Sequence, residues 1–127
     1  MTGASKKRSL RSRRPVPPGA ANAIGVALER LRRQCARFGD VEERASFGHP
    51  ALRVRGRAFA VLDHYAGSSC LWLYVTPADR VRLLATRGWF TAPYDPRHKA
   101  LCVRLDAIDW RRMRPLLRTS YALANSR

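Results

Sequence analysis

A chain of 127 residues with 46% apolar side chains has the size and make-up of one domain around one core. Its 25 Lys and Arg against nine Asp and Glu leave a net charge of +16, a field that draws polyanions such as nucleic acid, an anionic membrane surface or an acidic protein. The longest apolar run, Leu71 to Val75, falls far short of the roughly 18 residues that cross a bilayer, so a soluble chain is expected.

Residues 1–20 carry Lys6, Lys7, Arg8, Arg11, Arg13 and Arg14, no acid, and three prolines at Pro15, Pro17 and Pro18. Such a segment buries too little apolar surface to offset the entropy of ordering, and it reads as a disordered basic arm. The same composition also suits an organellar transit peptide or a nuclear signal. A single folded domain is expected over 21–127, and it keeps a charge of +10. Arginine outnumbers lysine 22 to 3, a bias that genome base composition alone can also produce.

From Asn22 the pattern changes. Ile24, Leu28, Leu31, Cys35 and Phe38 form one stripe at helical spacing, with Gly39 as the expected stop. Glu43 to Asp63 reads as strands and turns punctuated by Gly48-His49-Pro50. A two-residue Gly56-Arg57 loop would place Leu52, Val54, Phe59 and Val61 on one face, and Arg53 and Arg55 beside alanines on the other. A loop at Arg55-Gly56 would pair Val54 with Arg57 and mix the faces, so the first register is preferred. Cys70 to Val75 alternates as a strand. Thr76-Pro77-Ala78-Asp79 opens a short helix with Val81, Leu84 and Ala85 inward and Gly88 at its end. A short strand near Trp89, a turn-rich loop and a strand with Leu101, Val103 and Leu105 inside follow. Asp109 caps a last helical segment bearing Trp110, Met113, Leu117, Tyr121 and Ala124, where Pro115 predicts a kink or a turn before a restarted helix.

Ser46-Phe47-Gly48-His49-Pro50-Ala51-Leu52-Arg53-Val54 with Gly56 and Phe59, then Leu73-Tyr74-Val75-Thr76-Pro77, Ala92-Pro93-Tyr94, Val103-Arg104-Leu105-Asp106 and Asp109-Trp110 occur in an order that resembles the MmcQ/YjbR-like family, over about residues 22–124. The resemblance implies an α+β fold, an antiparallel sheet with helices packed on one face, frataxin-like and of the double-wing type. It also implies DNA binding, on structural more than biochemical grounds. The basic arm, Pro115, and Arg111 and Arg112 depart from the family pattern.

Chemistry is sparse. Cys35, Cys70 and Cys102 include no CxxC pair and read as buried free thiols of a reducing, cytoplasmic compartment. His49, His64 and His98 form no metal-ligand spacing, and His49 reads as a structural turn residue with ligand contact as its second reading. Nucleophile elbows, phosphate loops and paired carboxylates are missing, so no enzyme, cofactor or metal is expected. What remains is an outer sheet face with Arg53, Arg55, Trp72, Tyr74 and Arg104, flanked by Arg57. Arginines among aromatics suit phosphates and bases, with DNA favoured and with Lys6, Lys7 and Arg8 of the arm adding non-specific affinity. About five phosphate contacts would give a salt slope near −4.5. The same residues also suit a protein or homodimer interface, with the charge incidental, or plain packing.

Overall fold

The computed structural model describes residues 18–65, 67–93, 95 and 97–126; Lys6, Lys7, Arg8 and the rest of the arm through residue 17 lie outside them. Helix α1 spans Pro18–Gln34, beginning three residues before the boundary read from composition. It buries Ile24, Ala27 and Leu31, and the stripe continues through Cys35 and Phe38. Those last two sit in a turn, not in the helix: Cys35 N–H donates to Leu31 C=O at 2.9 Å and Phe38 N–H to Cys35 C=O at 3.0 Å. Gly39 is not the left-handed stop that was expected; Asp40 takes that conformation, with φ 59°. Apolar spacing survives the turn because both shapes present these residues to the same core, so spacing alone could not place the helix end.

The sheet strands are β1 (Val41–Glu43), β2 (Ala51–Val54), β3 (Arg57–Tyr65), β4 (Ser68–Tyr74), β5 (Trp89–Thr91) and β6 (Ala100–Arg104). They pair antiparallel throughout in the order β1-β2-β3-β4-β6-β5. Between β4 and β5 runs α2 (Pro77–Leu84), and two 3-10 turns, Leu105–Ala107 and Trp110–Arg112, lead into α3 (Met113–Asn125). Leu52, Val54, Leu62, Leu71, Leu73, Leu101 and Val103 of the sheet join Ile24, Leu31, Met113 and Leu117 of the long helices in one core. Alternation puts Trp72, Tyr74, Cys102 and Arg104 on the opposite face. The molecule is therefore an α+β protein with α1 and α3 on one face of a six-stranded antiparallel sheet.

The β2–β3 hairpin takes the register that pattern reading rejected. Val54 pairs with Arg57 and Arg53 with Ala58, so the loop is Arg55-Gly56. Both loop residues have positive φ, 52° and 78°, as a type I′ turn requires. The mixing of faces is undone by a bulge: Leu52 pairs with Ala60, which leaves Phe59 as an extra residue on β3. Consecutive Phe59 and Ala60 are then both fully buried.

In α2, Thr76 Oγ1 accepts from Asp79 N–H at 3.1 Å, the expected cap. The inward residue is Leu83; Val81, Leu84 and Ala85 face out instead, with Val81 75% and Leu84 40% exposed. Eight residues fix too little period to choose the face, and only tertiary contact selects Leu83. Gly88 has φ 91°, and a Cβ there would lie 2.2 Å from that of Ala107, so the turn into β5 needs glycine twice over. Pro115 falls in the first turn of α3, where its missing N–H has no partner to lose, and the helix is preceded by the 3-10 turn that Asp109 caps.

Candidate nucleic-acid interface

Beyond the bulge, β3 and β4 part. Their ladder runs from Tyr65–Ser68 to Ala60–Leu73 and stops there. Ser120 of α3 takes the next place: its hydroxyl donates to Phe59 C=O at 2.6 Å and accepts from Tyr74 N–H at 2.9 Å. The hairpin end of β3 is thereby held away from β4. A cleft of about 800 Å³ opens at that end of the sheet, lined among others by Arg57, Trp72, Tyr74, Arg97, Lys99 and Leu123.

Trp72 and Tyr74 are half-buried and meet edge to face, ring centroids 4.9 Å apart. Lys99 directly precedes Ala100, the cross-strand partner of Tyr74. The loop that carries Arg97, His98 and Lys99 is tied down beneath them. Asp95 accepts from Lys99 N–H at 2.7 Å and Ala100 N–H at 2.8 Å, and the Arg80 guanidinium donates to Ala100 C=O at 3.0 Å and His98 C=O at 3.2 Å. The Asp95 carboxylate is thus occupied by backbone and by Arg80, 3.5 Å away.

Charge is distributed unevenly. Eight of the nine acids lie in an ion pair with an arginine or with His49. Arg57, Arg97 and Lys99 are outside those pairs among the described residues, so the cleft keeps their charge. Arg32 shows the opposite situation: it forks onto Glu43 at 2.7 and 2.8 Å and also meets Glu29. Its hydrogen bonds hold the Glu43 carboxyl below the usual range.

The sequence-derived residues separate on this geometry. Arg57, Trp72 and Tyr74 come together in the cleft. Arg55 is exposed at the hairpin tip, its guanidinium 3.5 Å from Asn125 C=O. Arg53 is a fastener: it donates to the carbonyls of Arg44 at 3.2 Å, Ala45 at 3.2 Å and Gly56 at 3.0 Å. Arg104 shares the Trp72 face but pairs with Asp106 at 3.2 Å. Lys6, Lys7 and Arg8 lie outside the described residues. Sequence reading missed Arg97 and Lys99; their one signal is a basic triplet just after a Pro/Asp turn and just before a strand.

His49 occupies a tight turn with Phe47 and Gly48 at φ 52° and 83°, buried, with Nε2 3.2 Å from Asp63 Oδ1. Cys35, Cys70 and Cys102 are free and buried. Burial pushes the Cys35 thiol up to about 12, which keeps it protonated and unreactive. No helix among the described residues is long and apolar enough to cross a membrane.

The YjbR family model matches residues 36–123, a span that starts after α1 and runs nearly to the end of α3. A crystal structure of a Pseudomonas syringae protein is similar in fold, with 13% identity and a TM-score of 0.64 over 76% of this chain and 97% of that one. A Deinococcus radiodurans protein with a DUF419 domain is similar at 22% identity and a TM-score of 0.61, over 73% of this chain and 74% of that one. No functionally curated protein matches the sequence.

Proposed function

The chain belongs to the YjbR family, and on that fold we propose that it binds nucleic acid, DNA first, mainly through phosphate contacts. Arg55 and Arg57 of the hairpin and Arg97 and Lys99 of the tied loop make those contacts, and the basic arm adds to them. The observation that carries this reading is a cluster of cations outside the ion pairs: Arg57, Arg97 and Lys99 surround a cleft that also contains Trp72 and Tyr74, and the one acid lining it, Asp95, is held by Arg80 and by the Lys99 and Ala100 N–H groups. Guanidinium and ammonium groups released from internal pairing are the groups that displace counterions from a phosphate backbone. Arg53 is not among them.

A second reading, a protein-interaction or dimerisation module with incidental charge, draws on Val81 and Leu84, which α2 leaves exposed. Fluorescence anisotropy of labelled DNA over a salt series separates the two. The Arg57→Ala/Lys99→Ala variant should weaken binding about ten-fold or more at low salt and flatten the salt dependence. A chain that sediments as a dimer and leaves DNA free would establish the second reading instead.

A further inference from the structure

We infer that the cleft beside the hairpin seats an unpaired nucleotide, so that the ligand is single-stranded and not duplex nucleic acid; this rests on the nucleic-acid reading above. The cleft is concave and of about 800 Å³, within the range of sites that enclose a small molecule. A duplex keeps its base faces stacked inside and offers only groove edges and phosphates, which a concave aromatic site cannot use. An unpaired base has a free face.

Three features of the cleft match that face and its attached phosphate. Trp72 and Tyr74 supply a ring pair on the end of β4, and among the described residues neither the Trp72 indole N–H nor the Tyr74 hydroxyl makes a hydrogen bond. Among the described residues nothing competes with the edge of a base for these two polar handles. Leu123 of α3, 39% exposed at the same cleft, adds an apolar surface. The cations come from the strands on both sides of β4: Arg57 opens β3, and Lys99 immediately precedes β6. They bracket the rings, so a strand laid across the end of β4 meets a phosphate contact before and after the stacked base. Because Asp95 and Arg80 fix the loop backbone, Arg97 and Lys99 are carried on a preformed support.

The test is anisotropy of a short labelled oligo-dT against a duplex of the same length, with the full chain at one salt concentration. Single strand should bind about ten-fold tighter than duplex, the size of one base–aromatic stack. Trp72→Leu should lose about ten-fold on the single strand and nothing on the duplex, while Trp72→Phe keeps most of the affinity. Because a half-buried tryptophan also supports the sheet, a second readout uses the unaltered protein: a 2-aminopurine placed in the oligo-dT should be quenched on binding as it stacks. Equal affinity for both forms, or 2-aminopurine emission unchanged on binding, overturns the inference. If Arg57→Ala then weakens both forms alike, phosphate binding stands without the stacking seat. If neither form binds at low salt, both readings fall.

Discussion

Ser120 holds the place where the sheet opens. Its hydroxyl satisfies Phe59 C=O and Tyr74 N–H, two groups with no ladder partner on each other's strand, at a position with no solvent access. Ser120→Ala removes both bonds without adding bulk, and it leaves two polar groups unsatisfied in the interior. Such groups cost roughly 1–3 kcal/mol each, so a loss of about 2–4 kcal/mol in unfolding free energy is expected by urea titration. A loss below about 0.5 kcal/mol would show that β3 and β4 close up without the serine, or that water takes its place. The stripe read from the sequence of α3 found Met113, Leu117 and Ala124 but passed over Leu116 and Ser120, both buried. A serine inside an apolar period looks like an interruption until its two partners, 61 and 46 residues away, are known. The same blindness affected the arginines. Arg53 and Arg57 are alike in sequence and opposite in situation, because only the folded chain brings Arg44, Ala45 and Gly56 carbonyls to the first.

At the scale of elements, the helices and most strands were legible from period and punctuation, whereas the short β1 at Val41–Glu43 and the register of the hairpin were not. Pattern reading assumed an unbroken ladder and chose Gly56-Arg57 as the loop. The observed Arg55-Gly56 turn works because the bulge at Phe59 shifts the faces back into phase, and the bulge is stable where α3 caps its free carbonyl. The hairpin therefore depends on tertiary contacts at both ends, one of them Arg53. Its three hydrogen bonds join the hairpin loop to the segment after β1, where Arg44 N–H in turn donates to Ala51 C=O at 3.1 Å. Arg53→Ala should lower stability by about 1 kcal/mol, the usual net worth of exposed bonds of this kind, and leave the salt dependence of DNA binding unchanged. Arg57→Ala should do the reverse. Thermal melts and anisotropy on the two variants check this together; an Arg53→Ala protein of unaltered stability with weakened binding would return Arg53 to the interface.

For the whole molecule, the question is how much of the charge reaches a ligand. Residues 18–127 keep +10 of the total +16, and ion pairs engage eight acids and seven arginines among the described residues. Of the cations outside those pairs, Arg30, Arg33, Arg37, Arg87, Arg114 and Arg118 lie away from the cleft, while four are grouped at the hairpin and cleft: Arg55, Arg57, Arg97 and Lys99. That replaces the five contacts expected from the sequence, since Arg53 is engaged internally and Arg104 is paired. Each contact to a single strand contributes about −0.7 to the slope of log K against log salt, so residues 18–127 should show a slope of about −3. The arm holds six further cations within its first 14 residues and no acid. In the full chain the slope should steepen by about 0.7 for each arm cation that meets a phosphate, with affinity rising most at low salt and the preference between single strand and duplex unchanged, because a sequence of point charges reads phosphate and not base. Equal slopes with and without residues 1–17 would assign all contacts to the fold. Loss of binding on truncation would assign them to the arm, and the cleft would then hold its charge for some other ligand.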